Sequence, residues 1–280
     1  NFKNTDFPHG VCFWPDGKKI AVGSESVVEI LNIGSGNITI VDKGLEHAFN
    51  TAYSPLHKGI ITYNNGSKII IRDIKTNKIV QIMEMDSIVF SIDFSPDGKH
   101  LLSTDINGGS AIWNVETGAK KLSLTGHTDL VVHGRFSPNG QMIATASIDE
   151  TARIWDTATG KELKVFEFNS FVYDVTFSSD SQYLLIGTSI PENNIAIYEV
   201  KTGKKVLSIE THRGPVLNLA FAPDGKTFAS RSGDDTLRIW DAGNLTPEYF
   251  SKPPSGSPQE MWKAIQQKLC LSVDENDEIR

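Results

Sequence analysis

Short runs of apolar residues alternate along this chain with clusters of residues that favour turns. The clearest stretch has strand-like runs at 131–136, 142–147, 151–156 and 163–168. Apolar and polar side chains that alternate with a period of two are typical of half-buried β-strands. The turns between the runs contain Pro138-Asn139-Gly140 and Thr159-Gly160, residue types that suit tight turns. The stretch therefore predicts a four-stranded antiparallel meander.

This unit is repeated along the chain. The phrase Phe-Ser-Pro-Asp-Gly at 94–98 recurs as Phe-Ser-Pro-Asn-Gly at 136–140 and as Phe-Ala-Pro-Asp-Gly at 221–225, and looser copies begin at Phe13, Tyr53 and Phe177. Successive copies start 40, 41, 42, 41 and 44 residues apart. A fixed period near 40 residues indicates one supersecondary unit stacked on copies of itself. Six units are predicted at about 4–43, 44–84, 85–126, 127–168, 169–211 and 212–250.

The unit resembles the repeat of the WD-repeat β-propeller family. The residues that carry the resemblance are Gly126-His127 with Trp155-Asp156 in the fourth unit and His212 with Trp240-Asp241 in the sixth. The resemblance implies an all-β propeller with six clear four-stranded blades over residues 1–250 and a possible degenerate or truncated seventh. It also implies a non-catalytic scaffold for protein–protein interaction, which works as a monomeric module within a larger complex.

In that family a His, a Ser or Thr, an Asp and a Trp form a buried hydrogen-bonded tetrad in each blade. Carried over to this chain, the structural tetrads are His127, Thr145, Asp149 and Trp155, and His212, Ser230, Asp234 and Trp240. A Ser/His/Asp set also resembles a catalytic triad, but a buried Trp N–H needs a partner, which favours the structural interpretation. The units without a full tetrad are expected to depend on apolar packing alone.

Composition limits the function further. The formal net charge is −7 and the lysines and arginines form no run, so nucleic acid and acidic membranes are disfavoured as partners. No apolar stretch approaches 18 residues, the length of a membrane-spanning helix. Cys12 and Cys270 lie too far apart in sequence to suggest a zinc cluster, and reduced thiols in a cytoplasmic protein are expected. No catalytic motif, metal site or cofactor site is predicted, so the chain is not expected to be an enzyme.

The resemblance also implies which residues surround the mouth of the central channel, because in WD-repeat proteins the positions at one register of the repeat lie there. They lie eight and six residues before the Pro of each repeated turn (Ser179 in the fifth unit), and they are Phe7, His9, His47, Phe49, Ile88, Phe90, Leu130, Val132, Phe171, Tyr173, Pro215 and Leu217. Five of the twelve are Phe or Tyr and none is acidic. Such an apolar rim suits a protein or peptide anchor. Packing of the same rings between blades is the alternative, as is an enzymatic or small-ligand-binding propeller with a site in the channel.

The last segment, 251–280, allows two interpretations. Pro253-Pro254-Ser255-Gly256 indicates a linker, and Ser257 to Glu260 has the pattern of a helix N-terminus. By periodicity, however, 268–272 aligns with a strand of the sixth unit. The segment is therefore predicted to be a linker plus a short helix, or a degenerate seventh blade.

Overall fold

The structure, a computed structural model, describes residues 8–14, 16–56, 59–192, 194–210, 212–222 and 224–242, with the side chains of Pro8 and His9 left out. Within this part of the chain every regular element is a β-strand. The two predictions for 251–280 fall outside the described residues.

The described strands number twenty-three. They are β1 Pro8–Phe13, β2 Lys19–Ser24, β3 Val27–Asn32, β4 Ile38–Lys43, β5 Thr51–Tyr53, β6 Ile60–Asn65, β7 Lys68–Asp73, β8 Lys78–Glu84, β9 Val89–Phe94, β10 His100–Asp105, β11 Ser110–Asn114, β12 Lys120–Leu124, β13 Val131–Phe136, β14 Met142–Ser147, β15 Thr151–Asp156, β16 Glu162–Glu167, β17 Val172–Phe177, β18 Tyr183–Thr188, β19 Ile195–Glu199, β20 Lys205–Ile209, β21 Val216–Phe221, β22 Thr227–Ser232 and β23 Leu237–Asp241.

The strands form six antiparallel meanders, each of which is one blade. Five sheets have four strands, from β1-β2-β3-β4 to β17-β18-β19-β20, and the sixth has β21-β22-β23 among the described residues. The first strands of neighbouring blades lie beside one another in succession, from β1 to β21, so they surround the axis. The predicted all-β propeller with six blades is confirmed.

The repeated turn between the first two strands of a blade is held by its own side chains. In the third blade the Ser95 hydroxyl donates to Asp97 at 2.6 Å and accepts from the His100 amide at 2.9 Å. Gly98 follows with a φ of 66°, in the left-handed region that favours glycine. The fifth blade has Ser181 at the matching position with a φ of 61°, so it adopts this backbone without the glycine. This explains why the fifth copy of the phrase is recognisable only in part.

The hydrophobic core is divided among the seams between blades. Each of five buried clusters joins two consecutive blades, and the one between the fourth and fifth contains Ile154, Phe166 and Val175. A blade that lies between two others has both faces of its sheet covered by its neighbours. The strands of such a blade are therefore apolar on both faces. The seams hold the blades in place and leave the loops at their ends free to vary.

Candidate functional site

The loops of the propeller divide between two faces because consecutive strands in a blade are antiparallel. The connections between blades and the hairpins between second and third strands lie at one end of the strands, and we call this end the mouth face. The turns between first and second strands and between third and fourth strands lie at the other end, the opposite face. The innermost strands start at the mouth face, where the predicted channel-mouth residues lie.

The structure leaves the described channel-mouth residues at least partly accessible to solvent. They are His47, Phe49, Ile88, Phe90, Leu130, Val132, Phe171, Tyr173, Pro215 and Leu217. Phe171 is 45% exposed. The residue between each pair is, in contrast, fully buried: Ala48, Val89, Val131, Val172 and Val216 are all 0% exposed. Phe7 and the side chain of His9 lie outside the described part of the chain.

Two groups of rings lie at this register. On the second and third blades, His47 stacks on Phe49 at a centroid distance of 5.2 Å, and Phe49 contacts Phe90 of the next blade at 5.3 Å. On the fifth blade, Phe171 and Tyr173 meet edge to face at 6.5 Å. The rings therefore take part in local contacts, including one across a seam, and still keep accessible surface. A partner could bury that surface further.

The fourth blade contains a continuous hydrogen-bonded chain of four side chains. Trp155 Nε1 donates to Thr145 Oγ1 at 2.9 Å, and the same hydroxyl lies 2.7 Å from His127 Nε2. On the other side of the ring, His127 Nδ1 lies 2.8 Å from Asp149 Oδ2. The neutral imidazole with its proton on Nδ1 satisfies every member: it donates to the carboxylate and accepts from the hydroxyl.

The sixth blade repeats this arrangement. Trp240 Nε1 donates to Ser230 Oγ at 2.9 Å, His212 Nε2 lies 2.7 Å from that hydroxyl, and His212 Nδ1 lies 3.3 Å from Asp234 Oδ2. The last contact is longer than its counterpart in the fourth blade. Asp234 also accepts hydrogen bonds from the Thr236 hydroxyl and from the amide of Arg213, so it fixes two loops to the blade.

Burial and hydrogen bonds together set the protonation of both tetrads. Burial lowers the pKa of His127 and of His212, and it outweighs the neighbouring carboxylates, which raise it. Burial alone would raise the pKa of Asp149, but hydrogen bonds from the Thr151 hydroxyl and His127 hold it below its usual value. The pKa of Asp234 is lowered as well, chiefly by the Thr236 hydroxyl. At neutral pH each tetrad therefore combines a neutral imidazole with an ionised carboxylate.

The Ser230, His212 and Asp234 set has the spacing of a nucleophilic triad but offers no access to a substrate. Ser230 and Thr145 are both 0% exposed. Each hydroxyl is also held by two partners, because its oxygen accepts from a Trp N–H and its proton is directed to a His Nε2. The geometry can stiffen a blade, but it cannot present a nucleophile to a solute.

The third blade corrects the expectation that blades without a full tetrad depend on apolar packing alone. Trp113 Nε1 donates to Ser103 Oγ at 2.8 Å, and that hydroxyl lies 3.2 Å from Met85 Sδ. Met85 stands at the position that His127 has one repeat later. A thioether is a weak acceptor, so the Trp–Ser half of the tetrad remains while the charged half is lost.

The second blade corrects the same expectation in another way. Tyr63 stands at the hydroxyl position and Arg72 at the Trp position of the repeat. Arg72 Nε donates to the Tyr63 hydroxyl at 2.9 Å, and Arg72 Nη2 forms a 2.7 Å ion pair with Asp42 from the preceding blade. The Tyr63 hydroxyl donates to the same carboxylate at 2.5 Å. A polar network thus replaces the tetrad because these longer side chains reach across the seam.

A further polar group connects the innermost strands of neighbouring blades. The repeat did not predict it. Asp174 of the fifth blade is 0% exposed and accepts from the Leu219 amide of the sixth blade at 2.7 Å. Its carboxylate lies 2.8 Å from His133 Nδ1 and 3.8 Å from Arg135 Nη2 of the fourth blade, in electrostatic contact without hydrogen-bond geometry. In the same way Asp93 of the third blade accepts from a fourth-blade amide at 2.9 Å.

This inter-blade brace lies deeper than the channel mouth. Burial alone would raise the pKa of Asp174, but His133, Arg135 and the Leu219 amide outweigh it and hold that pKa below its usual value. Asp93 differs, because burial prevails and raises its pKa. In the sequence these titratable residues stand five or three positions before the Pro of the repeated turn (Ser179 in the fifth unit). Which blade each of them contacts depends on the packing.

Three further observations concern the described residues. No three His, Cys, Asp or Glu side chains of the described residues lie close enough together to hold a metal ion. Among the same residues, no helix has the length and apolar character needed to span a membrane. Burial raises the pKa of Cys12 to about 11, which leaves its thiol protonated at neutral pH.

Comparisons with known proteins agree with the architecture. The family model described as "WD domain, G-beta repeat" matches residues 78–114, 118–156 and 203–241. A chain in a crystal structure of the mitotic checkpoint complex superposes with a TM-score of 0.77 at 21% identity, over 85% of this chain and 77% of that one. At this identity the structural likeness shows the fold.

Curated relatives match over parts of their length. The protein FIZZY-RELATED 3 of Arabidopsis thaliana is 26% identical over 209 residues, which is 70% of this chain and 43% of that protein. An uncharacterized WD repeat-containing protein of Synechocystis sp. is 40% identical over 80 residues, 28% of this chain and 22% of that protein. The chain thus spans less than half the length of these relatives. The matches of the family model show WD repeats in three stretches of this chain, and the six blades arrange the repeated units as a β-propeller.

Proposed function

We propose that this propeller is a non-catalytic scaffold that binds a protein or peptide partner on the mouth face, with the aromatic rim of the channel as the anchor site. The observation that carries the proposal is the alternation at the start of the innermost strands. The residues that fix the seams there are fully buried, while the rings on either side of them remain accessible. The chain of similar fold in the mitotic checkpoint complex is part of an assembly, which is consistent with this role.

The rigid frame supports an anchor site of this kind. Phe49 and Phe90 come from different blades, so their relative position is fixed by the seam and not by one flexible loop. A partner side chain that packs onto such fixed rings loses its own freedom but requires little ordering of the receptor. Aromatic anchors of this sort usually carry about 2 kcal/mol or more on truncation, or roughly thirtyfold in affinity.

The accessible rings also allow the site to be tested without breaking the fold. We expect Phe90→Ala combined with Tyr173→Ala to weaken the main partner at least about tenfold. The matched control is Lys161→Glu, an exposed change on the opposite face. Tagged wild-type and variant propellers are compared by quantitative affinity purification, and each recovered partner is then titrated as a purified protein against all three.

The outcome decides the proposal. Loss of the same partner from the double variant but not from the Lys161→Glu variant supports binding at the rim. Equal affinity of a purified partner for the wild type and for a folded double variant would contradict it. Circular dichroism of each variant shows whether the fold survives.

The runner-up function is a propeller with a small ligand or a reaction in its channel. The residues that could favour it are His133, Arg135 and Asp174, the polar group of the channel wall. Asp174, however, is fully buried and is held by its contacts to the two neighbouring blades. These contacts fit a brace better than a ligand site, so this group does not favour the second function.

A further inference from the structure

The two faces of the propeller carry very different charge, although all their loops extend from the same repeated frame. Among the described residues, the mouth-face loops contain ten carboxylates, one arginine and no lysine. The carboxylates are Glu25, Glu46, Asp86, Asp129, Asp149, Glu150, Glu192, Glu210, Asp234 and Asp235, and the arginine is Arg213. The mouth-face loops are therefore strongly acidic.

The opposite face is close to balanced. Its described loops contain five carboxylates and seven lysines. The carboxylates are Asp16, Asp97, Glu116, Asp180 and Asp224, and the lysines are Lys18, Lys75, Lys99, Lys161, Lys201, Lys204 and Lys226. The formal net charge of −7 for the whole chain thus conceals a difference between its two faces.

Asp86 forms a 3.7 Å ion pair with Lys120, and among the described residues none of the other nine mouth-face carboxylates forms an ion pair with a lysine or an arginine. Glu46, Glu150 and Glu210 are exposed, and their carboxylates form no ion pair or hydrogen bond with the described residues. Asp149 and Asp234 face histidines, but burial keeps those imidazoles neutral, so the two carboxylates keep their negative charge. The acidic loops also come from the first blade to the sixth, so they surround the aromatic rim.

We infer that the partner segment that docks on the aromatic rim is a basic polypeptide, with Lys or Arg residues flanking an apolar anchor. This inference rests on the proposed function and specifies the chemistry of the partner. The rings supply apolar area and a π face that attracts cations. The acidic loops around them create a negative potential that draws in a positive chain and repels an acidic one.

The test uses three fluorescein-labelled dodecapeptides with the same central leucine and with flanks of lysine, of serine or of glutamate. Each is titrated against the propeller by fluorescence anisotropy at 50 mM and 300 mM NaCl. We expect the lysine peptide to bind at least about tenfold more tightly than the serine peptide at low salt, and the glutamate peptide to bind least. Raising the salt reduces that difference because it screens the exposed carboxylates.

Charge-reversal variants show where the peptide binds. Glu46→Lys and Glu150→Lys change the mouth face, and Glu116→Lys makes the same change on the opposite face. At a distance of about 10 Å, one reversal should weaken the lysine peptide roughly threefold to fourfold at low salt. The Glu116→Lys control should change its affinity by less than about 1.5-fold, because the opposite face is farther away and screened.

Each result decides the inference. Equal binding of the three peptides, tighter binding of the glutamate peptide, or no binding of any of them would overturn it. So would equal effects of Glu46→Lys and Glu116→Lys. If binding is lost in Phe90→Ala with Tyr173→Ala but not in the charge variants, the rim is the site and only the basic character is wrong. If the aromatic variant binds every peptide as the wild type does, the proposed function itself fails.

Discussion

Replacing Trp155 by alanine tests the central structural element of the fourth blade. The indole is 1% exposed and packs in the seam cluster with Leu102, Phe136 and Ile143. Truncating a buried aromatic side chain of this size to alanine usually costs about 3–5 kcal/mol. The lost hydrogen bond to Thr145 adds little, because that hydroxyl keeps its contact with His127.

The expected loss corresponds to a large change in melting temperature. For a domain of this size each kcal/mol lowers Tm by about 2–4 °C, so a loss of about 4 kcal/mol predicts a fall of about 8–16 °C. Far-UV circular dichroism with heating and with urea measures the change without depending on the fluorescence of the removed Trp. Leu163→Ala on β16 is the control, since its side chain is 48% exposed and should contribute little.

A second pair of variants separates the hydrogen bond from the packing. Trp155→Phe keeps most of the ring but removes the N–H, and should cost about 2 kcal/mol. Trp113→Ala in the third blade should cost the same order as Trp155→Ala, because Trp113 is also buried and also donates to a hydroxyl. A loss of less than about 1 kcal/mol for Trp155→Ala would refute the reasoning, since no well-packed tetrad Trp could be so dispensable.

Three further predictions concern the polar groups. Asp149→Asn and Asp234→Asn should each lower the free energy of unfolding by about 1–2 kcal/mol in urea and leave binding of the uncharged serine-flanked peptide unchanged in the folded fraction; a fully folded variant that abolishes a measured turnover would require a catalytic interpretation. The pKa values of His127 and His212 are lowered on folding, so the unfolded chain binds more protons than the folded one at mildly acid pH. Tm should therefore fall as the pH drops below about 6.5. A Tm that stays constant between pH 7.5 and 5 would contradict this. Asp174→Ala should cost about 1–3 kcal/mol, measured by the same urea titration, because it leaves the buried amide of Leu219 in the sixth blade without its acceptor; near-wild-type stability would exclude the brace.

The carboxylates add a second window to the pH dependence. The pKa values of Asp149, Asp174 and Asp234 are lowered on folding, so their contribution is present above the unfolded value near 3.9 and is lost as the pH falls below it. Asp93 acts in the opposite direction, because its pKa is raised and its protonated form favours the fold at acid pH. The acid loss of stability should therefore start with the histidines and steepen with the three carboxylates.

The strands could be predicted from the sequence because each repeat supplies its own turn residues. In the fourth unit the predicted runs 131–136, 142–147 and 151–156 agree with the observed strands. The outermost strand is Glu162–Glu167 rather than 163–168, and a register shift between Ile154 and Trp155 accompanies it. Such a bulge depends on how two strands pair, which the pattern of one strand does not contain.

The polar substitutes in the other blades could not be predicted in the same way. Arg72 stands where the repeat has Trp, and Tyr63 stands where it has Ser or Thr. A comparison of the repeats along the sequence therefore suggests only that this blade has lost the tetrad. Their role is recognised only in the structure, where the seam places Asp42 of the preceding blade 2.7 Å from Arg72 Nη2. The network is a property of two blades, whereas the repeat describes one.

The carboxylates of the two faces differ in whether the fold accounts for them. Aspartates such as Asp97 and Asp224 accept hydrogen bonds from amides of their own turns, so the repeated turn accounts for them. Glu46, Glu150 and Glu210 have no such contact with the described residues, and a lysine at any of these exposed positions would leave the blade intact. Because packing does not fix the sign of these charges, their agreement from blade to blade calls for a cause outside the fold, and a basic partner on the mouth face supplies one.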